Sequence, residues 1–490
     1  MSQNITLLGA SYTDVPAVTL PKTGGGTASF TDVSDTTASA SDVASGKYFY
    51  TSAGVRTEGT GSGGGTVVTE NDVNFIDYDG TILYSYSAED FANLTELPPN
   101  PTHTGLTAQG WNWALADAKL QVQNMGIADI GQNYVTDDGA TRVYIEIEDL
   151  ARPKFQLYIA NNSSGATTTI NWGDGNTTSI TTTTLTTYSH NYSSVGEYMI
   201  SIKTSSGVLK IGGTNYTLFG SNGSASYWLL NRVKKVEIGS NLTSTAYLFQ
   251  YCTSLTTVSL PTTITSLGNY TFGSCGKIEC LVLPSGFNTW GRFSCSGSGV
   301  RRISLPKSLT SLGENCLVSS RFTRIAIPYT LTSISTKALQ TCTALKKVKV
   351  PGAPTITSYF LDGCSSCTEI EFMTGTTNLG ASACKCSRLT KVTIPEGVTT
   401  IGASCFQGVN KLVSIALPST LTTISGTYVF YQMYGLKEMR CLATTPPAVE
   451  NSNSLSTQST DLVIYVPAES LADYQAATNW STYASHMVGV

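Results

Sequence analysis

A proline closes a short apolar run again and again in the second half of this chain, at Pro261, Pro284, Pro306, Pro328, Pro351, Pro395, Pro418 and Pro467. The first five lie 23, 22, 22 and 23 residues apart, Met373 fills the slot between Pro351 and Pro395, and Gly239 fills the one before Pro261. A fixed period of this length denotes one supersecondary unit copied and stacked, in which each copy buries its apolar face only against its neighbours. Such a solenoid presents long surfaces and seldom needs a catalytic pocket.

Counted back from the proline slot, positions −1 and −3 are apolar in almost every copy, as in Val258 and Leu260, Ile303 and Leu305, Ile325 and Ile327, Val348 and Val350, and Val392 and Ile394. Alternation predicts a strand with these two facing in and −2 facing out. Position −6 is also apolar (Leu255, Ile278, Val300, Phe322, Leu345, Leu389, Leu412), and a phenylalanine at −12 (Phe249, Phe272, Phe406) fills the return side. About eleven rungs at ~4.8 Å each predict a sheet roughly 50 Å long.

The rest of the chain divides by pattern. Residues 1–66 are Gly/Ser/Thr-rich and poor in core residues, with Gly24–Gly26 and Gly61–Gly65 as flexible joints and a short hairpin around Lys47–Gly54. This segment is expected to order only against a partner or a symmetry mate, as a virion-attachment or oligomerisation segment. Residues 67–150 read as a small mixed α/β module. Val73–Tyr78 and Thr81–Tyr86 form a hairpin about Asp79-Gly80, Ala88–Leu94 and Trp111–Met125 are helical, and Arg142–Ile147 is a strand. Residues 151–208 read as a small β-sandwich, 209–460 as the solenoid, and 461–490 as a closing strand and helix.

Charge is uneven. Residues 1–150 hold 5 Lys/Arg against 19 Asp/Glu, a net of −14, and residues 151–490 hold 24 against 14, a net of +10. An acidic front and a basic back can serve different partners. The N-terminus MSQNITLLGASYTDV lacks the basic and apolar regions of a secretory signal, and no apolar run is long enough for a membrane span. All 12 cysteines lie between Cys252 and Cys441, within the repeat, which is unlike a spread disulfide framework.

Several stretches resemble known families. Leu389-Thr-Lys-Val-Thr-Ile-Pro395-Glu-Gly-Val-Thr-Thr-Ile-Gly402-Ala-Ser-Cys-Phe406 closely resembles BspA-type leucine-rich repeats, common in surface adhesins, and the likeness runs over residues 230–490. The ending Leu462–Pro467, followed by a helix through Leu471, Tyr474 and Trp480, is similar to that family's C-terminal cap. Asn171-Trp172-Gly173-Asp174-Gly175, with Ser189-His190-Asn191-Tyr192, resembles a PKD-type Ig-like domain, which implies a spacer. Ser45–Tyr50 with Gly54 and Glu58-Gly59-Thr60 resembles a segment of phage tail and fibre proteins. Gly110-Trp111-Asn112-Trp113 and Tyr134–Gly139 resemble a module of gut bacteriophage proteins.

Little reads as catalytic chemistry. Cys364-Ser-Ser-Cys367 and Cys384-Lys-Cys386 could suggest zinc, but Cys252, Cys275, Cys342, Cys364 and Cys386 all fall at −9, so they read as small buried hydrophobes stacked rung over rung. A disulfide between successive −9 cysteines stays open. His103, His190 and His486 are the only histidines, and no Ser-His-Asp set or carboxylate pair is readable. Asp137, Asp138 and Asp174 sit in glycine turns, where one or two carboxylates fall short of a calcium ligand set. The candidate site is a basic stripe at positions −5, −4 and −2: Lys234, Lys235, Arg301, Arg302, Arg324, Lys346, Lys347, Lys349 and Lys391. It would meet a polyanion such as teichoic acid or an acidic glycan. Against that stand Glu369 and Glu371, which interrupt it, and the plain use of lysine to keep a sheet soluble.

The expected architecture is mainly β: an N-terminal attachment segment, a small α+β module, an Ig-like β-sandwich and a leucine-rich-repeat β-solenoid with a terminal cap helix. The expected role is a bacteriophage tail or head fibre, a surface-exposed virion protein made in the host cytoplasm without a signal peptide. It would hold other virion proteins through its N-terminus, form a homo-oligomer, and bind a host-surface or mucosal glycan or protein through its repeats. No cofactor, metal, nucleic acid, membrane insertion or catalytic activity is expected. A bacterial surface adhesin is the alternative, and a glycan-degrading enzyme the third.

Overall fold

Proline has no N–H to give a β-ladder, so a strand that runs up to the slot stops where a proline stands. Ahead of the stop, Val258 and Leu260, Ile303 and Leu305, and Val348 and Val350 are buried as the alternation requires. Successive strands pair in parallel, with Val348 beside Ile370 and Ile370 beside Val392. After the proline comes a two-residue strand. Those from Ser311–Leu312 to Ala448–Val449 form one seven-stranded parallel sheet whose apolar members, such as Ile334, Leu379 and Ile401, are buried. The computed structural model describes residues 71–490 apart from 212–215, 222–226, 244, 353–354, 458 and 460. Before residue 71 it describes the backbone of short strands only.

The return side of each rung turns through two left-handed corners, as at Tyr270 (φ 55°) and Ser274 (φ 62°) or Lys337 (φ 61°) and Thr341 (φ 56°). A bulky residue in that region carries strain of about 1–3 kcal/mol. The neighbouring rung compensates. The amides of Tyr270, Phe272 and Ser274 donate to the carbonyls of Arg292, Ser294 and Ser296 at 2.7–3.0 Å. The −12 aromatics stack across rungs, Phe249 on Phe272 and Phe406 on Phe430, each at 5.7 Å.

The −9 cysteines are buried and free, as are all twelve. Their thiols also donate hydrogen bonds to the return turn one rung back: Cys275 to the Phe249 carbonyl (3.0 Å), Cys364 to Leu339 (3.2 Å) and Cys386 to Leu361 (3.3 Å). Cysteine therefore fills the slot as an apolar body with one weak donor.

The chain forms two compact units, Met1–Thr69 and Glu70–Val490. In the first, Tyr48–Tyr50 pairs antiparallel with Arg56–Glu58, in keeping with the hairpin expected there. The Gly joints and the expectation of partner-dependent order lie outside the described residues.

In the second unit, residues 73–136 form a four-stranded sheet in the order Ile82–Tyr86, Val73–Ile76, Ala128–Thr136, Leu106–Trp111. Helices Ala88–Ala92 and Leu115–Met125 cover one face through Phe75, Phe91, Ala118, Val122 and Ile130. The second helix begins four residues later than its periodicity suggests, because Leu106–Trp111 is held as a strand against Gln132–Thr136. The other face of the sheet lies on the solenoid, where Ile76 packs with Cys280 and Val282.

Thr141–Ile147, expected to end the mixed module, belongs elsewhere. It pairs antiparallel with Gly196–Thr204 on one side and with Val233–Glu237, the first solenoid strand, on the other. The sheet thus runs Thr177–Ile180, Thr168–Asn171, Gly196–Thr204, Thr141–Ile147, Val233–Glu237, Thr257–Ser259, with Thr141–Ile147 shared between the two parts and the pairing turning from antiparallel to parallel at Val233–Glu237. A second sheet, Thr186–Asn191, Lys154–Asn161, Leu209–Ile211, shares a core with it through Phe155, Leu157, Trp172 and Ile200. No spacer geometry results, because the segment and the repeat share both a sheet and a core. The chain ends with Val463–Val466 and Met487–Gly489 on the strand side and the short helix Leu471–Ala476 between them.

Gly131 lies where module and solenoid meet, and a Cβ there would stand 2.3 Å from Val282 Cγ1 and 2.9 Å from Ser304 Cβ. Gly131→Val is expected to lower stability by about 2–3 kcal/mol, the cost of overpacking a close seam. Urea unfolding of the full chain checks this, and an unchanged midpoint would mean that the seam is loose.

Candidate functional site

A slot residue donates its N–H to the −1 carbonyl of the rung before, as Met373 does to Val350 at 3.0 Å. A proline there has no N–H to give, and the mixed module supplies the missing donors rung by rung. Asn133 Nδ2 donates to Leu260 O (3.2 Å), Asn112 Nδ2 to Leu283 O (2.8 Å), Trp113 Nε1 to Leu305 O (2.8 Å) and Gln121 Nε2 to Ile327 O (3.0 Å). These four carbonyls belong to the −1 residues of four consecutive rungs. Gln121 also accepts from Tyr329 N at 2.8 Å, so one amide straddles Pro328, and Gln109 accepts from Thr262 N at 2.7 Å just past Pro261. Ser304 Oγ donates to Asp129 O at 2.6 Å. The N-terminal part of the strand face is therefore covered.

This cover decides the fate of the basic stripe. Lys234 pairs with Glu146 (2.7 Å) on the shared strand, and Arg324 pairs with Asp129 (3.0 Å) on the module. Lys235 pairs with the buried Glu237 at 2.8 Å and donates to Tyr78 at 3.1 Å. Burial pushes its ammonium pKa down, but the bonds to Glu237 and Tyr78 outweigh that and hold it above its ordinary range. Burial and Glu237 together push the Tyr144 phenol up to about 12. Arg301 lies 3.8 Å from Glu279. Further along, Glu369 takes both Lys391 (2.6 Å) and Lys347 (2.9 Å) from the rungs on either side, and Lys349 lies 3.4 Å from Glu371. Arg302 and Lys346 form no ion pair among the described residues. Seven of the nine cations therefore face a carboxylate.

Beyond Ile327 the strand face is open, with the side chains of Lys347 and Lys391 71% and 67% exposed. Among the described residues no three His, Cys, Asp or Glu side chains gather as a metal would need. No helix of the described residues is long and apolar enough to cross a membrane. His190 stacks on Trp172 at 5.3 Å and bonds Asp174 at 2.6 Å, while Tyr192 OH donates to Trp172 O at 2.8 Å. These contacts hold the tight turn at Gly173, where φ is +87° and a Cβ would meet Met199 O at 2.7 Å. His103 bonds the buried Asp77 at 2.7 Å between Tyr78 and Tyr134.

The docking residues Asn112, Trp113, Gln121 and Asn133 are not foreseen from the sequence. The one signal for them is Ala128–Thr136, where Asp129, Gly131 and Asn133 alternate with Ala128 and Ile130. All are buried, which marks a strand with a polar face that still must be covered.

Residues 226–322 and 312–437 match the BspA type leucine rich repeat region in six copies, so the chain carries repeats of that type. The match lies within the repeats and gives no support to the bacteriophage or PKD-type resemblances of earlier residues. No curated protein sequence matches the chain. Among solved structures, a leucine rich cell surface protein of Faecalibacterium prausnitzii is 20% identical over 53% of this chain and 74% of its own, with a TM-score of 0.32. A leucine-rich repeat protein of Eubacterium ventriosum is 21% identical over 59% and 82%, with a TM-score of 0.37. One of Bacteroides ovatus is 18% identical over 59% and 95%, with a TM-score of 0.25.

Two outcomes are expected. Gln121→Ala strands the Ile327 carbonyl and the Tyr329 amide, which costs about 1–3 kcal/mol and opens the Ala128–Thr136 seam to limited proteolysis. Glu369→Gln has a smaller effect with a definite pH profile. Lys391 and then Lys347 hold the Glu369 carboxyl below its ordinary value of 4.5. A folded-state value below the unfolded one gives stability that is complete at neutral pH and lost as pH falls through the folded value. The variant should therefore be less stable at pH 7, by under about 1 kcal/mol, and converge on the wild type near pH 3. Urea midpoints at the two pH values check this.

Proposed function

We propose that this chain is a non-enzymatic surface-binding protein that uses its leucine-rich repeats to hold a ligand outside the cell, in the manner of a bacterial adhesin. The observation that carries this reading is the division of the repeat into a covered and an open part. A module packed across the first rungs makes them a rigid base, while the rungs beyond Ile327 leave self-similar faces exposed over many copies. BspA-type repeats in the same stretch support a binding role, since stacked copies build extended surfaces.

The bacteriophage appendage takes second place, because the resemblances that favour it lie before the repeats. In either setting the 1–66 segment, ahead of the module, would serve attachment or self-assembly. The two sheets of residues 154–211, with the Trp172 and His190 turn, would be a PKD-like sandwich fused to the repeat, and the helix after Val466 its cap. A basic-stripe ligand would have to displace Glu369 and Glu371 from their lysines, so a polyanion is the less favoured partner.

Labelled full-length protein is expected to bind mucin or host cells saturably, without cleaving the glycans it is given. Failure to bind mucin, epithelial cells and bacterial envelopes alike would remove the adhesive role. Antibody labelling of the producing bacteria should mark the cell envelope, and label confined to released phage particles would reverse the order of the two settings.

A further inference from the structure

The two long faces of the solenoid differ in chemistry. The strand before each proline carries Lys, Arg and Glu outward. The sheet after it carries none of these. At the two positions before its inward Leu or Ile, the rungs from Thr310 to Thr423 hold only Ser, Thr or Asn, with Pro354 the single exception. The hydroxyls are also oriented. Thr332, Thr399 and Thr422 each donate to the carbonyl one rung back, on Thr310, Thr377 and Thr399, at 3.1–3.2 Å. Each spends its proton on the backbone and turns its oxygen lone pairs outward, so a row of preset acceptors faces solvent.

These rows run into a cavity of ≈ 300 Å³. Five Ser or Thr residues line it, among them Thr422, Thr444 and Thr445, together with Leu421, Ala443 and Pro446. Its far wall is fixed from behind by the chain after the proline at 467. Tyr474 OH donates to Ala443 O (2.8 Å), Ser470 Oγ to Thr444 O (2.7 Å) and Trp480 Nε1 to Pro447 O (2.8 Å), and the Tyr474 and Trp480 side chains are fully buried. The carboxylate beside it, Glu396, is engaged by Ser419 N (3.0 Å) and Ser419 Oγ (2.8 Å). What remains is a rigid hollow with no charged residue in its lining, which offers hydroxyls and the half-buried ring of Pro446, with Leu421 and Ala443 buried beneath it. Small-molecule pockets start near about 300 Å³, and a ring that is hydroxylated at its rim and apolar on its face matches this lining.

We infer that this cavity is the anchoring subsite for a neutral glycan, one sugar ring seated against Pro446 among the lining hydroxyls, with the following sugars laid along the Thr399–Thr400 and Thr377–Asn378 rungs at the ~4.8 Å rung spacing. The inference rests on the surface-binding role and names its ligand class and its face. The lining hydroxyls can replace the hydrogen bonds an uncharged sugar gives up on leaving water, whereas a charged glycan would leave its anionic groups unpaired there.

The test uses the full chain against immobilised neutral hexose and N-acetylhexosamine oligosaccharides, alongside sulfated and uronate-bearing glycans. Thr422 and Thr445 are exposed, so Thr422→Glu and Thr445→Arg block the cavity without touching the core. Binding to a neutral oligosaccharide, insensitive to salt, is expected. It should fall about tenfold or more in both blocking variants and be kept in Thr445→Ser. Three results would overturn the site: binding to charged glycans alone, which returns the ligand to the lysine face; neutral binding unchanged in Thr445→Arg; or no glycan bound while the chain still holds to cells or mucin, which leaves the adhesive role standing with a protein ligand. Loss of all binding, to cells and mucin as well, would remove both the site and the role.

Discussion

The strand-ending proline is the constraint on which the rest of the structure depends. It sets the rung length and it turns the chain from the charged face to the hydroxyl face. Having no N–H, it also leaves the −1 carbonyl of the rung before it without the ladder bond that Met373 N gives Val350 O where the slot holds no proline. Four of those carbonyls, on Leu260, Leu283, Leu305 and Ile327, receive side-chain donors from one module. A buried polar group left unmet costs about 1–3 kcal/mol, so the row favours this docking in this register. The amide of Gln121, bonded on both sides of Pro328, fixes that register to a single rung.

Rigidity follows from the same seam and from the strand Thr141–Ile147. That strand pairs antiparallel on both edges, with Gly196–Thr204 on one and the first solenoid strand Val233–Glu237 on the other, so the two parts cannot hinge about a linker. The cap segment does the same for the C-terminal end, holding residues 443–447 through Tyr474, Ser470 and Trp480. Between these clamps lie the rungs that the module leaves open, and ligand contact falls to them.

Much of the repeat is legible in the sequence because its physics is local. Proline spacing gives the period, alternation at −1 and −3 gives the inward face, and the −9 register marks the cysteines as core rather than metal ligands. The stripe shows where locality ends. Aligning Lys347, Lys349 and Lys391 by register is sound, but their charge is set by Glu369 and Glu371 on adjacent rungs, and that of Lys234 and Arg324 by Glu146 and Asp129 far away in sequence. The place of Thr141–Ile147 was illegible for the same reason. Its alternation announces a strand but not which of two sheets it joins. The oriented hydroxyls of the second sheet repeat too faithfully to stand out as a motif, and their meaning comes from the cavity at their end.

The central claim is that the first rungs are closed by the module and only the later ones are open. Hydrogen exchange in the full chain measures this directly. The Trp113 indole N–H and the backbone amides of Thr262 and Tyr329, all bonded across the seam, should exchange as slowly as the amides deep in the solenoid ladder. Exchange of these three as fast as that of an exposed loop would contradict the docked arrangement and return the whole strand face to solvent.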